Sequence, residues 1–297
     1  MLQLANAELR VDFVDPENDR RLLGTRYCTG GYIWQVTDPE AGPLLTGPQW
    51  PNPTPSPFDG QGLPESFRHR TRDGRPLTWH GPHGVSLGIG ELTSEPNGEV
   101  TLVRPCEWLV SRAEDRLTFE TRQSVAGFAY ALVRSVTLSN RILMSQTRLT
   151  NEGDAPLLLE WFAHPFFALT NGFPTAEVPT GTAMRENSGF SLAGTSLTQK
   201  RRFEHHNDGH MDFLQLPPSG GSTFRLSHPA LTGIRFSTSF APSECVIWGN
   251  DVTFSIEPYQ TLVLQPDETR DWTLRYDFGK SSRIVSPTES ARTPERE

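Results

Sequence analysis

Apolar and polar residues alternate with a period of two through much of this 297-residue chain. That period is the mark of a strand with one face buried and the other wet. It is plain over residues 99–103, 116–123, 131–138, 143–150, 223–226, 233–239, 252–257 and 272–278. Turn-forming clusters separate these runs: Glu95-Pro96-Asn97-Gly98, Asn151-Glu152-Gly153-Asp154, Pro217-Pro218-Ser219-Gly220-Gly221 and Gln265-Pro266-Asp267-Glu268. No stretch of twelve residues carries apolar positions at helical spacing. The pattern predicts an all-β chain, most simply a large antiparallel β-sandwich of two sheets packed face to face.

Two segments break the alternation. Residues 43–84 are rich in Pro, Gly, His and Arg, and residues 170–212 read as mostly loop. Connections of that length inside a compact domain tend to be functional. From Lys280 onward the chain is polar and aperiodic, so the reading is one domain over residues 1–279 and a disordered tail over 280–297. Twenty-five glycines and 25 prolines suit a chain of many turns.

The formal net charge of −8, with no block of like charges, argues against a nucleic-acid surface. Cys28, Cys106 and Cys245 are scattered, which predicts buried free thiols rather than a disulfide framework or a zinc site. The N-terminus lacks a basic start followed by an apolar run, and no stretch approaches the ~20 apolar residues of a membrane helix. A cytoplasmic protein with no membrane partner, monomeric or homodimeric, is the expectation.

Two places carry candidate chemistry. A very apolar strand runs into His164, which Pro165 and two phenylalanines follow. Histidine titrates near neutrality, so one at a strand end is a natural general acid. Glu257 alternates with Phe254 and Ile256 ahead of Pro258, which is expected to stop the strand. Burying a carboxylate there is costly without a partner or a task, and desolvation raises its pKa toward the range of a useful base.

Leu149-Thr150-Asn151 followed by His164-Pro165-Phe166-Phe167-Ala168-Leu169 resembles the aldose 1-epimerase (galactose mutarotase-like) family. There an asparagine turn precedes a His-Pro-Tyr/Phe-Phe-Asn-Leu signature. The segment from Phe254 through Glu257-Pro258-Tyr259-Gln260, with the later Trp272 and Tyr276, is similar to that family's closing strands. The likeness spans roughly residues 85–279, and Ala168 departs from the family's asparagine.

The resemblance implies a galactose mutarotase-like supersandwich that binds a sugar or sugar phosphate and exchanges its α and β anomers. Glu257 would be the base and His164 the acid, and that chemistry needs neither metal nor redox cofactor. It also implies an earlier histidine in a His-Gly pair, either His80 or His83, with His80 preferred. An aspartate for sugar hydroxyls would be Asp212, with Asp208 as rival. An arginine for hydroxyls or phosphate would come from Arg68, Arg70, Arg72 and Arg75, with Arg70 preferred. Glu65, in Gly62-Leu63-Pro64-Glu65-Ser66-Phe67, is a further residue that could face the pocket. His205, His206 and His210 beside Asp208 have the donor density of a metal site, but a loop without a scaffold reads as polar surface.

Overall fold

The computed structural model describes residues 1–170 and 175–282. Among them the one helical element is the 3-10 turn Arg20–Leu22. All strand pairings are antiparallel, and two large sheets dominate. The ten-stranded sheet is centred on Arg116–Val125, Phe128–Ser139, Ile142–Asn151 and Thr269–Phe278. The seven-stranded sheet runs Ala183–Met184, His210–Gln215, Glu244–Gly249, Thr253–Leu264, Leu157–Ala163 and Glu65–Arg68, with Phe167–Ala168 paired onto Thr253–Leu264. Two four-stranded sheets flank them.

The alternation read from the sequence is what joins the large sheets. Phe67 and Trp161 of the seven-stranded sheet meet Trp272 of the ten-stranded one, with ring centroids 6.1 and 5.2 Å away. Trp161 is fully buried and also meets Phe240 edge-on. Trp161→Ala should therefore cost about 3–5 kcal/mol and lower the thermal midpoint by roughly 10 °C, read by calorimetry.

The structure differs from the sequence reading in three places. Pro258 does not end its strand, which runs on to Leu264. Proline lacks an N–H, and on one side Pro258 needs none: pairing with Leu157–Ala163 ends at Phe162↔Tyr259. Residues 170–212 hold Thr175–Glu177, Ala183–Met184, Phe190–Ala193 and Ser196–Gln199, strands too short to show a period of two. The C-terminal boundary moves as well. Thr232 N donates to Lys280 O at 2.9 Å and Ser282 N to Ala230 O at 3.0 Å, so residues 280–282 are paired. The rest of the expected tail lies outside the described residues.

Candidate acid–base site

Register decides which side chains leave the seven-stranded sheet on the face away from the core. Val246 lies opposite Glu257, Trp248 opposite Ser255, and Tyr259 opposite both Glu244 and Phe162. Facing residues share a side and successive ones alternate. Ser255, Glu257 and Tyr259 therefore line the outer face, while Phe254 and Ile256 point into the core. Phe162 and Tyr259 stack there at 4.5 Å with rings 4° from parallel.

His164 follows the end of the neighbouring strand, and its N–H bonds to Pro64 O at 2.9 Å. Phe166 N reaches Gly62 O at 2.8 Å, so the bend at Pro165 docks on residues 62–64. The bend turns the imidazole over the outer face. Its Nε2 comes 3.4 Å from Glu257 Oε1, and its Nδ1 lies 3.2 Å from Ser255 Oγ. Both side chains are 5% exposed, enough to keep bulk water from screening the pair. Phe166 lies along the ring at 4.3 Å, and Tyr27 and Trp248 meet it edge-on at 6.1 Å.

Burial drives both groups toward their neutral forms. Glu257 is pushed up to about 7 by burial, against the pull of Arg26, Arg72 and the Ser255 hydroxyl. His164 is held well below the usual histidine range by burial and by the Arg26 charge. The site at neutral pH is therefore a half-ionised carboxylic acid against a neutral imidazole. The contact with Ser255 allows either tautomer; with the ring proton on Nε2, the nitrogen facing Glu257, Ser255 turns its single hydroxyl hydrogen from the carboxylate to Nδ1. Such an arrangement can take a proton at one oxygen and offer one at another.

Beside the pair lies a groove of about 480 Å³ whose wall includes Phe162, Tyr259, Arg26, Arg68, His69, Arg70 and Arg72. Arg72 is bonded to Glu244 and Arg68 lies 3.7 Å from Glu160. Among the described residues, Arg26 and Arg70 have no carboxylate partner. Arg26 bonds Phe58 O at 2.8 Å and sits over the Tyr27 and Phe58 rings, and Arg70 stacks on Trp79 at 4.5 Å. His69 accepts from Trp79 Nε1 at 3.1 Å, and burial with the nearby Arg70 and Arg68 lowers it to about 4.

The structure brings His164 and Glu257 together, and the Arg70 groove adjoins them through Phe162 and Tyr259, which line it while the pair itself does not. Several other candidates lie elsewhere. His80 and His83 face each other across a hairpin and are both exposed. Trp79 turns toward His69, so His80 turns the opposite way and stacks on Phe128 at 4.8 Å. The histidine in the groove is His69, which no His-Gly pair signals. Asp212 is paired with Ile247, a core-facing position, and its carboxylate lies 3.5 Å from His210; Met211 and Phe213 take the face shared with Glu257. Asp208 is held by Arg201 at 2.6 Å. Arg75 lies 3.3 Å from Asp73 in solvent. Glu65 points into the core toward Arg134 rather than the pocket. Among the described residues no group of three or more His, Cys, Asp or Glu is placed to hold a metal ion. Arg26 was missed altogether, because nothing local in Thr25-Arg26-Tyr27 marks it.

No family model matches the sequence, and no curated protein does. Solved structures do resemble it. A galactose mutarotase-like protein from Lactobacillus casei superposes with a TM-score of 0.59 at 13% identity, over 94% of this chain and 99% of that one. A galactose mutarotase related enzyme from Lactobacillus acidophilus gives 0.58 at 13%, over 96% and 99%. This chain has the galactose mutarotase-like fold. A further galactose mutarotase-like protein, from Clostridium acetobutylicum, gives 0.56 at 12% identity over 92% and 93%. At such identities the likeness is one of fold, and the chemistry rests on the residues above.

Proposed function

We propose that this protein interconverts the α and β anomers of a hexose or hexose phosphate, with Glu257 and His164 moving the protons. One observation carries the reading: the Glu257 carboxyl lies 3.4 Å from the His164 imidazole in a nearly dry site, where burial pushes the carboxyl up to about 7. Ring opening of a hemiacetal moves one proton from the anomeric hydroxyl to the ring oxygen. Glu257 takes the first as the bond from C1 to the ring oxygen breaks, and the ring oxygen takes the Nε2 proton of His164. Glu257 passes the anomeric proton to Nε2 across their contact in the same concerted transfer, so neither a buried imidazolium nor an imidazolate need form. Rotation about C1–C2 and the reverse steps give the other anomer.

The two groove arginines without carboxylate partners favour a substrate with an anionic substituent, since a guanidinium forks onto paired oxygens. Arg70→Ala should raise KM for a hexose 6-phosphate roughly tenfold or more, with little effect on the free hexose. Arg26→Ala should raise that KM likewise and also move the acid limb upward for both substrates, because Arg26 holds the Glu257 pKa down. An NMR anomer-exchange screen over free sugars and their 6-phosphates tests the whole reading, and no acceleration with any of them would remove it. The 5% exposure of the pair also suits binding without turnover. In the same screen that role would give saturable shifts with exchange at the buffer rate.

A further inference from the structure

The mechanism leaves one buried ion pair unused. Arg134 lies in Phe128–Ser139 of the ten-stranded sheet, wholly buried, and its guanidinium crosses the core. Nη2 bonds Glu65 Oε1 on the opposite sheet and Ser145 Oγ at 3.0 Å; Nη1 bonds Gly30 O at 2.8 Å. Ser145 Oγ donates to the same Glu65 oxygen at 2.8 Å. Replacing such pairs by apolar residues of similar volume is often neutral or stabilising, so stability alone does not account for it. What a guanidinium adds is a rigid fork that can hold two acceptors from two elements at fixed spacing.

Those acceptors bracket the segment that covers the site. Cys28 N bonds Glu65 O at 2.8 Å, and Ser66 Oγ bonds Arg26 O at 2.6 Å. Thr29 Oγ1 accepts from Trp108 Nε1 at 2.8 Å. The turn itself needs glycines: a Cβ on Gly30 would lie 2.5 Å from the Trp108 ring, and Gly31 has φ +71° against Arg134. Immediately before this clamp come Tyr27, edge-on to His164, and Arg26, on the groove wall.

We infer that Arg134 is a positioning residue: by gripping Glu65 and the Gly30 carbonyl at once, it fixes residues 26–31 so that Tyr27 closes over His164 and Arg26 stands at the groove beside Glu257. The inference rests on the anomer-exchange reading for its consequence, though not for the anchoring itself.

The test is the double variant Glu65→Leu with Arg134→Met, because Arg134→Met alone leaves a buried carboxylate unpaired and invites unfolding. The double variant should keep or raise the thermal midpoint. Amide hydrogen exchange at residues 28–31 should quicken at least tenfold, while Ile142–Asn151 and Thr253–Leu264 stay protected. If the wild type exchanges anomers, kcat/KM should fall at least tenfold, and the acid limb should move above about 7 as Arg26 loses its hold near Glu257. Arg134→Lys keeps the charge but not the fork, so it should stay folded with the same loosening. A folded double variant with wild-type exchange at residues 28–31 would overturn the inference, and so would full protection in Arg134→Lys. If no sugar is turned over by the wild type, the exchange measurement still decides the anchoring, so the two failures are separable.

Discussion

Glu257→Gln should abolish accelerated anomer exchange and at the same time make the protein more stable in mild alkali. The loss is expected at roughly 10²–10⁴-fold, the usual contribution of a positioned acid–base group, because the amide keeps the shape but cannot take the anomeric proton. The gain in stability follows from burial. A carboxyl raised by the fold from 4.5 to about 7 contributes stability that is fully present below its unfolded pKa. That contribution is lost as pH rises through about 7, where the native state must hold a dry charge. At pH 8 the wild type carries this penalty, of roughly 3 kcal/mol, and the amide does not. Thermal unfolding at pH 4 and pH 8 should show the variant gaining only at the higher pH. A variant inactive but equally stable at both would mean that Glu257 works without being desolvated.

What could be read from the sequence divides by the length scale of the information. Strands of ten or more residues, such as Arg116–Val125 and Ile142–Asn151, announce themselves because each carries several periods of alternation. The two-residue strands Trp79–His80 and Ala183–Met184 carry none and were invisible. His164 and Glu257 were legible as polar residues set among apolar strand positions, and the structure brings them to 3.4 Å, although Glu257 lies within Thr253–Leu264 rather than at its end. Parity across strands was not legible. Whether Asp212 or Met211 shares a face with Glu257 depends on the register of His210–Gln215 against Glu244–Gly249, which no local pattern encodes. The same holds for Glu65, whose inward direction follows from its pairing opposite Ala163. Arg26 reaches the site only because a distant strand, through Glu65 and Ser66, draws its segment across the sheet.

The pH dependence of the reaction should run opposite to that of stability, and this is the sharper check on the pair. On the proposed mechanism exchange requires Glu257 ionised, and the ionised fraction falls tenfold for each pH unit below about 7. At pH 5 kcat/KM should therefore be about a hundredfold below its plateau near pH 8. His164, held well below its usual range, stays neutral across that interval, so a single limb is expected rather than a bell. An ordinary exposed glutamate would place the limb near 4.3 and leave activity flat from pH 5 to 8. A bell with its lower limb near 4 and its upper near 6.5 would instead mean that His164 acts as an imidazolium, and the relay across the 3.4 Å contact would fall. The unfolding free energy should decline over the same interval in which activity rises. The protein is then least relaxed where its carboxylate is most useful, as expected when one desolvated charge sets both the chemistry and part of the cost of folding.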